Sequence, residues 1–208
     1  MEFTGFTAAA GDFFTELAAN NNREFFTAHR DVYDRVVRHP LDLLLGEAEG
    51  EYGPGRVMRP NRDVRFSADK SPYRIGASMW AGTVGGVYLN LQPGGIDAGG
   101  GLYGPSRDQL ERGRRAIDAK PTAAAELAGI VRQLETDGFE LAGPSLTTSP
   151  KGFARDHPHI ALLRLRHYAA VTQLPIDASA DAIYDVWSRV KPLIEWTDTH
   201  VGAATSRP

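Results

Sequence analysis

The chain has 208 residues, of which 42% are hydrophobic and 24% charged, a composition typical of a globular protein. It contains no cysteine, which excludes disulfides, thiolate metal sites and cysteine nucleophiles. Its formal net charge is -3, so we expect no general affinity for polyanions and no nucleic-acid partner. The first residues are acidic and no run of about 18 apolar residues follows, so we expect no membrane span and a cytoplasmic location.

Helical patterns occupy the beginning of the chain. Residues 7–19 carry an apolar stripe at helical spacing, which predicts a first helix. Asn21 and Glu24 have the spacing of a capping box, which predicts the start of a second helix that Pro40 should stop or reset. The segment 41–51 that follows is acidic and contains no basic residue.

Residues 75–103 carry the pattern of a sheet, with a glycine-rich turn at 82–86. The strand after this turn alternates between apolar and polar side chains, as a half-buried strand does. Its apolar positions are Val87, Leu89 and Leu91, and its polar positions are Tyr88, Asn90 and Gln92. Such alternation favours antiparallel over doubly wound parallel strands.

The remainder of the chain is again mostly helical. Ser106 and Gln109 form a second capping-box pattern, which predicts a helix to about Ala119, and a further helix follows it. A short helix, a strand that ends near Leu174 and a last helix capped by Ser179 complete the chain. We therefore predict that all 208 residues form one α+β domain, a mainly antiparallel, glycine-rich sheet flanked by helices.

Four short motifs carry a family resemblance. They are Asn-Asn-Arg-Glu-Phe-Phe at 21–26, Arg-Asp-Val-Arg-Phe-Ser-Ala-Asp-Lys-Ser-Pro-Tyr at 62–73, Gly-Gly-Gly-Leu-Tyr-Gly-Pro at 99–105 and Pro-Lys-Gly-Phe at 150–153. With them the chain resembles the domain-of-unknown-function family 2461 of bacterial and fungal proteins, over roughly residues 3–201. The resemblance implies a single domain and a set of candidate positions, and it implies no mechanism.

The first candidate site is the basic loop, which we define as residues 56–74. It carries more arginine and lysine than aspartate, and arginine grips phosphate or carboxylate with a planar fork. We predict that the loop binds an anionic ligand and that Asp69 acts as acid or base if there is chemistry. The predicted ligand-binding residues are Arg62, Arg65, Lys70, Tyr73 and Arg74. The alternative is an internal salt-bridge network that holds the loop.

The second candidate is the glycine run that leads into the helix after Ser106. A helix N-terminus suits an anion, and glycine lets a ligand approach the backbone, so Gly100, Gly101 and Tyr103 are predicted to bind ligand. Neither a Walker loop nor a dinucleotide signature is present, which favours tight turns or bulges as the alternative.

The third candidate is the segment 151–159, where Asp156, His157 and His159 are able to bind metal. Their spacing does not suit one helical face, so we predict no metal site and a helix cap at Asp156 or His157 instead. His157 is also a candidate general base, because its ordinary pKa lies near neutrality.

A fourth candidate is the polar strand face of Tyr88, Asn90 and Gln92, which becomes a pocket floor if a helix or the basic loop covers it. The function that we predict from the sequence is binding of a small phosphate- or carboxylate-bearing ligand at the basic loop. Whether a reaction follows stays open, and the sequence identifies no cofactor. The alternative is a non-enzymatic protein-interaction module that meets an unidentified protein partner through the acidic segment 41–51 and the basic loop.

Overall fold

The computed structural model describes residues 2–63, 65 and 68–205. Its first part is helical and is followed by a sheet. The elements before the sheet are α1 (Ala8–Ala19), α2 (Arg23–Ala28), α3 (Arg30–Tyr33), a π-helical turn (Asp34–Arg38) and α4 (His39–Tyr52). The later helices are α5 (Arg107–Ala119), α6 (Pro121–Thr136), α7 (Ile160–Leu163) and α8 (Ala180–His200).

One open antiparallel sheet has the strand order β1-β2-β3-β4-β6-β5. Its strands are β1 (Gly55–Val57), β2 (Ala77–Gly82), β3 (Gly86–Gln92), β4 (Gly95–Leu102), β5 (Glu140–Leu141) and β6 (Tyr168–Leu174). At one edge Gly55 pairs with Ala81, and at the other edge Glu140 pairs with Val171. The predicted α+β class and the antiparallel arrangement are confirmed.

The beginning of the second helix differs from the prediction. The N-cap is Asn22, whose side-chain oxygen accepts a hydrogen bond from the Phe25 backbone N–H at 2.8 Å. The Asn21 side chain forms hydrogen bonds with the backbone of Tyr73 instead. At Pro40 the helix is reset and not stopped, because this proline lies in the first turn of α4, where a missing N–H costs nothing. The acidic segment is therefore helical, within α4.

The later predicted elements agree closely with the structure. The capping box of Ser106 and Gln109 is present at the start of α5, which ends at Ala119 as predicted. Ser179 accepts a hydrogen bond from the Ala182 N–H at the start of α8. These elements were predictable because their start and stop signals lie within a few residues of each other.

The described chain divides into two compact units. The first unit comprises the described residues up to Gly82 together with Tyr88–Ala98 and Gln173–Asp185. Its core contains an aromatic cluster in which the Phe26 ring lies 5.2 Å from Tyr33 and 6.2 Å from Phe13. This cluster is buried and gives the basic loop an apolar surface to rest on.

The second unit comprises Thr83–Val87, Gly99–Thr172 and the described residues from Val186 onward. Its core includes Trp196, which is 1% exposed and donates its indole N–H to the Ala123 carbonyl at 3.0 Å. The Tyr168 ring lies 5.3 Å from that of Trp196. The indole hydrogen bond ties α8 to the first turn of α6.

The organisation as one domain over all 208 residues stays a prediction. None of the helices among the described residues has the length and apolar character needed to cross a bilayer.

Candidate functional site

The basic loop is a closed hairpin at its base. The Arg62 N–H donates to the Pro72 carbonyl at 2.9 Å, and the Arg74 N–H donates to the Pro60 carbonyl at 2.8 Å. Asn61 and Tyr73 form an antiparallel bridge between these two bonds. The backbone on either side of the loop is thereby held at fixed positions.

The side chain of Asn21 binds the base of the hairpin at Tyr73, and we call this pair of hydrogen bonds the Asn21 clamp. Its amide nitrogen donates to the Tyr73 carbonyl at 2.9 Å, and its oxygen accepts from the Tyr73 N–H at 3.1 Å. The Tyr73 ring stacks on Phe26 with 4.0 Å between centroids and 11° between planes. Tyr73, which was predicted to bind ligand, is 7% exposed and anchors the loop to the aromatic cluster.

Two of the predicted ligand-binding arginines have acidic partners within the loop. Arg62 forms an ion pair with Asp69, and Arg65 forms one with Asp63 at 2.7 Å. Lys70 and Arg74 are exposed. Within the described part of the chain, Arg74 has no acidic partner. The loop therefore contains the salt bridges of the structural alternative, and it keeps an exposed guanidinium beside them.

An open depression of about 400 Å³ lies beside the base of the loop. Its lining residues are Arg62, Asp63, Arg74 and Ile75. Two guanidinium groups, one carboxylate and one apolar side chain thus surround a space that is large enough for a small anion. Of the ligand-binding residues predicted in the basic loop, Arg62 and Arg74 line this depression.

Asp69 is poorly suited to proton transfer near neutral pH. Hydrogen bonds from Ser71 and the Arg62 guanidinium lower the pKa of the Asp69 carboxyl to about 2. A carboxyl of this kind is ionised at pH 7, whereas an effective general acid or base has a pKa near the working pH. The arrangement favours Asp69 as a partner that orients Arg62.

The predicted positions of the glycine run lie in the second unit and are closely packed. A Cβ at Gly101 would lie 2.2 Å from the Tyr168 carbonyl oxygen, and one at Gly100 would lie 2.8 Å from the Gly86 carbonyl oxygen. Tyr103 is 72% exposed and stacks on the His167 ring at 4.5 Å. The two glycines thus have a structural explanation, a close approach of neighbouring strands.

The N-terminus of α5 already holds an anionic group of the protein. Asp108 lies in its first turn and accepts hydrogen bonds from Ser106, Arg112 and Thr205. These bonds hold the pKa of the Asp108 carboxyl far below its usual range. The positive end of the helix dipole therefore stabilises Asp108.

His157, also in the second unit, has a polar contact at each ring nitrogen. Its Nδ1 accepts from the His159 backbone N–H at 3.0 Å, and its Nε2 lies 3.3 Å from an oxygen of Asp118. A neutral ring that accepts at Nδ1 carries its proton at Nε2, on the side of Asp118. This favours a structural group over a general base.

The same segment does not cap α7 with the predicted side chains. The N-cap of α7 is His159, which makes no side-chain hydrogen bond there. Among the described residues, no group of three or more His, Cys, Asp or Glu side chains is placed to hold a metal ion.

The acidic segment within α4 has internal partners. Glu47 accepts hydrogen bonds from the Phe3 N–H at 2.9 Å and from the Tyr184 hydroxyl. Glu49 accepts from the Gly55 N–H at 2.8 Å. Both carboxylates hold neighbouring segments together, so neutralising them would weaken the fold as well as any protein interface.

Two features of the first unit lie outside the sequence-based expectations. The pattern at Asn21 predicts a helix cap, although its partner Tyr73 lies 52 positions away. Asp97 does carry a usable signal in the sequence, because a carboxylate inside a strand is unusual. Asn90 and Gln92, from the polar strand face, both donate hydrogen bonds to it.

Comparison with known proteins identifies a family. The family model described as a conserved hypothetical protein, DUF2461, matches residues 9–196. This range covers most of the chain and includes the basic loop, the glycine run and the segment 151–159. No curated protein and no solved structure matches the chain.

Proposed function

The chain belongs to the DUF2461 family of conserved hypothetical proteins, and we propose that it binds a small phosphate- or carboxylate-bearing ligand in the depression beside Arg62 and Arg74. The observation that carries this proposal is the pair of guanidinium groups on one open depression, one of them exposed. Guanidinium presents parallel N–H donors that match phosphate and carboxylate oxygens.

The backbone positions of the two arginines support the proposal. Arg62 and Arg74 each donate a backbone N–H across the base of the hairpin, and the Asn21 clamp holds Tyr73 between them. A ligand that met these arginines would find their backbones already ordered. Less conformational entropy is then lost on binding than at a mobile loop.

The stabilisation that the ion pairs provide does not explain why the loop carries so many charged residues. In the Arg65–Asp63 pair the side chains are 76% and 46% exposed, and in the Arg62–Asp69 pair they are 33% and 54% exposed. Exposed pairs of this kind contribute little to the free energy of unfolding, because solvent screens them and ordering two long side chains costs entropy. Orientation of Arg62 towards a ligand is a better reason for Asp69 than its contribution to the free energy of unfolding.

The decisive variant is Arg74→Ala. The side chain is exposed, and its backbone hydrogen bond remains in the variant, so the fold should be retained. We expect inorganic phosphate to raise the melting temperature of the wild-type protein, by roughly 5–10 °C at 100 times its dissociation constant. The increase should be lost in Arg74→Ala and partly retained in Arg74→Lys, which keeps the charge without the fork.

The matched control is Arg115→Ala. Arg115 is an exposed arginine on α5 that pairs with Glu111. It therefore tests the loss of a surface arginine outside the basic loop. At constant ionic strength, phosphate should raise the melting temperature of Arg115→Ala as much as it raises that of the wild type. An equal response of the wild type, Arg74→Ala and Arg115→Ala, or no response in any of them, would contradict the proposal.

A further inference from the structure

One lining residue of the depression leads directly into the polar face of the sheet. Ile75 lines the depression, and Gly76 follows it directly before β2. A Cβ at Gly76 would lie 3.7 Å from the side-chain oxygen of Asn90 and 3.8 Å from the Cβ of Gln92. The chain thus passes within one residue from the lining of the depression to a position that packs against polar side chains of β3.

These side chains belong to one hydrogen-bonded set, which we call the Asp97 network. The Ser78 hydroxyl donates to the Asn90 oxygen at 2.8 Å. The Asn90 amide donates to Asp97 Oδ2 at 3.3 Å, and the Gln92 amide donates to the same oxygen at 3.0 Å. The Gln173 amide donates to Asp97 Oδ1 at 3.3 Å. The network thus spans β2, β3, β4 and β6 within the first unit.

Asp97 is unusual in its partners. It is half-buried, and within the described residues no arginine, lysine or histidine forms an ion pair with it. Carboxylates that lose water are ordinarily compensated by cations or by several hydrogen bonds. Asp97 is compensated by three hydrogen bonds from neutral amides and by no cation among the described residues, so it keeps a net negative charge that a further donor would meet.

The network retains both donors and acceptors. A carboxylate offers about four acceptor positions, of which the amides occupy three, and each amide nitrogen has a second N–H. A hydroxyl group is the partner that donates and accepts at one atom. Several adjacent hydroxyls on one molecule would therefore satisfy this set better than either an anion or an apolar group.

We infer that the ligand is a hydroxyl-bearing anion of the sugar-phosphate or polyol-phosphate class. Its phosphate binds Arg62 and Arg74, and its hydroxyl groups bind the Asp97 network. This inference rests on the proposed anion site. The charges determine the orientation, because Asp97 repels the phosphate while the two guanidinium groups attract it.

Isothermal titration of the full chain with inorganic phosphate, glycerol 3-phosphate and glucose 6-phosphate tests this inference. We expect at least one of the two hydroxylated phosphates to bind the wild type about tenfold or more tightly than inorganic phosphate. Asp97→Asn should remove that advantage, while its affinity for inorganic phosphate should stay within about twofold of the wild type. Each retained hydroxyl contact of this kind contributes roughly a factor of ten in affinity.

Gln173→Ala is a second variant, since Gln173 is exposed and its loss should not disturb folding. It should weaken binding of the hydroxylated phosphate by a smaller factor in the same direction. Gln133→Ala is its matched control, because Gln133 is an exposed glutamine whose amide donates to Asp137 at 2.9 Å in the second unit. The control should bind as the wild type does.

The failure of this inference differs from the failure of the anion site. Equal affinity for all three probes, all reduced by Arg74→Ala and none changed by Asp97→Asn, would overturn the hydroxyl contacts and leave the anion site standing. An absence of binding for every probe, or binding that is unchanged in Arg74→Ala, would overturn both.

Discussion

Asn21 determines where the basic loop begins and ends in space. Its carboxamide makes two hydrogen bonds to the backbone of Tyr73, one as donor and one as acceptor. Its neighbour Asn22 caps α2, so two adjacent asparagines have unrelated functions. A single side chain thus holds Tyr73 between the backbone hydrogen bonds of Arg62 and Arg74.

We expect Asn21→Ala to lower the free energy of unfolding by about 1–3 kcal/mol, because two partly buried hydrogen bonds are lost. Urea denaturation measures this change. The variant should also be cleaved faster by trypsin after Arg62, Arg65, Lys70 and Arg74, since the base of the hairpin loosens.

Asn22→Ala is the control for this variant. It removes a helix cap, at a cost of about 1 kcal/mol, without touching Tyr73. If both variants were cleaved by trypsin at the same rate within the loop, Asn21 would not be the clamp that the hydrogen bonds indicate.

At the scale of the element, β4 shows why glycines are needed in a strand. A Cβ at Gly99 would lie 2.1 Å from the Ala170 carbonyl oxygen on β6, closer than any real contact. Glycine inside a strand often marks a close approach of another backbone, and β4 has such an approach at Gly99. Gly129 in α6 is the opposite case, because a Cβ there meets nothing within 4 Å.

We expect Gly99→Ala to destabilise the protein by about 3 kcal/mol or more, since the backbone of β6 must move. Gly129→Ala should stabilise it by about 0.5–1 kcal/mol, because alanine favours a helix and the space is open. Thermal and urea unfolding of the two variants provide the comparison. A neutral Gly99→Ala would mean that β4 and β6 are further apart than described.

At the scale of the whole molecule, the stability at low pH depends on carboxylates bonded in the folded state. Hydrogen bonds from Ser106, Thr205 and Arg112 lower the pKa of the Asp108 carboxyl. In the unfolded chain this carboxyl titrates near its ordinary value of about 3.9. The stabilisation is present above that value and is lost as the pH falls towards the folded-state pKa.

We therefore expect the urea midpoint of the wild type to fall between pH 5 and pH 3. Asp108→Asn should be less stable than the wild type at pH 7 and should lose less over this interval, because its side chain does not titrate. Asp12→Asn, at an exposed position on α1, is the control and should follow the wild type. If the urea midpoints of Asp108→Asn and the wild type fell in parallel with pH, Asp108 would not contribute to the loss of stability in acid.

Much of the fold was predictable from local signals. The alternation of β3, the capping box of α5 and the extent of α1 follow from residues within one or two turns of each other. The break between α2 and α4 was not, since a π-helical turn at Asp34–Arg38 has no comparable local signature. For the candidate sites, the sequence indicates which segments to consider, but it does not indicate which side chains contact each other.

The sequence by itself determined the absence of cysteine chemistry, the α+β class, the charge of the basic loop and the family. Only the tertiary structure decided which polar groups are already bonded, because such partners lie far apart in the chain. His157 is held by Asp118, and Asp97 by Gln173, at separations that no periodic pattern reports. Local propensity acts over a few residues, whereas a binding site is formed by side chains that folding brings together.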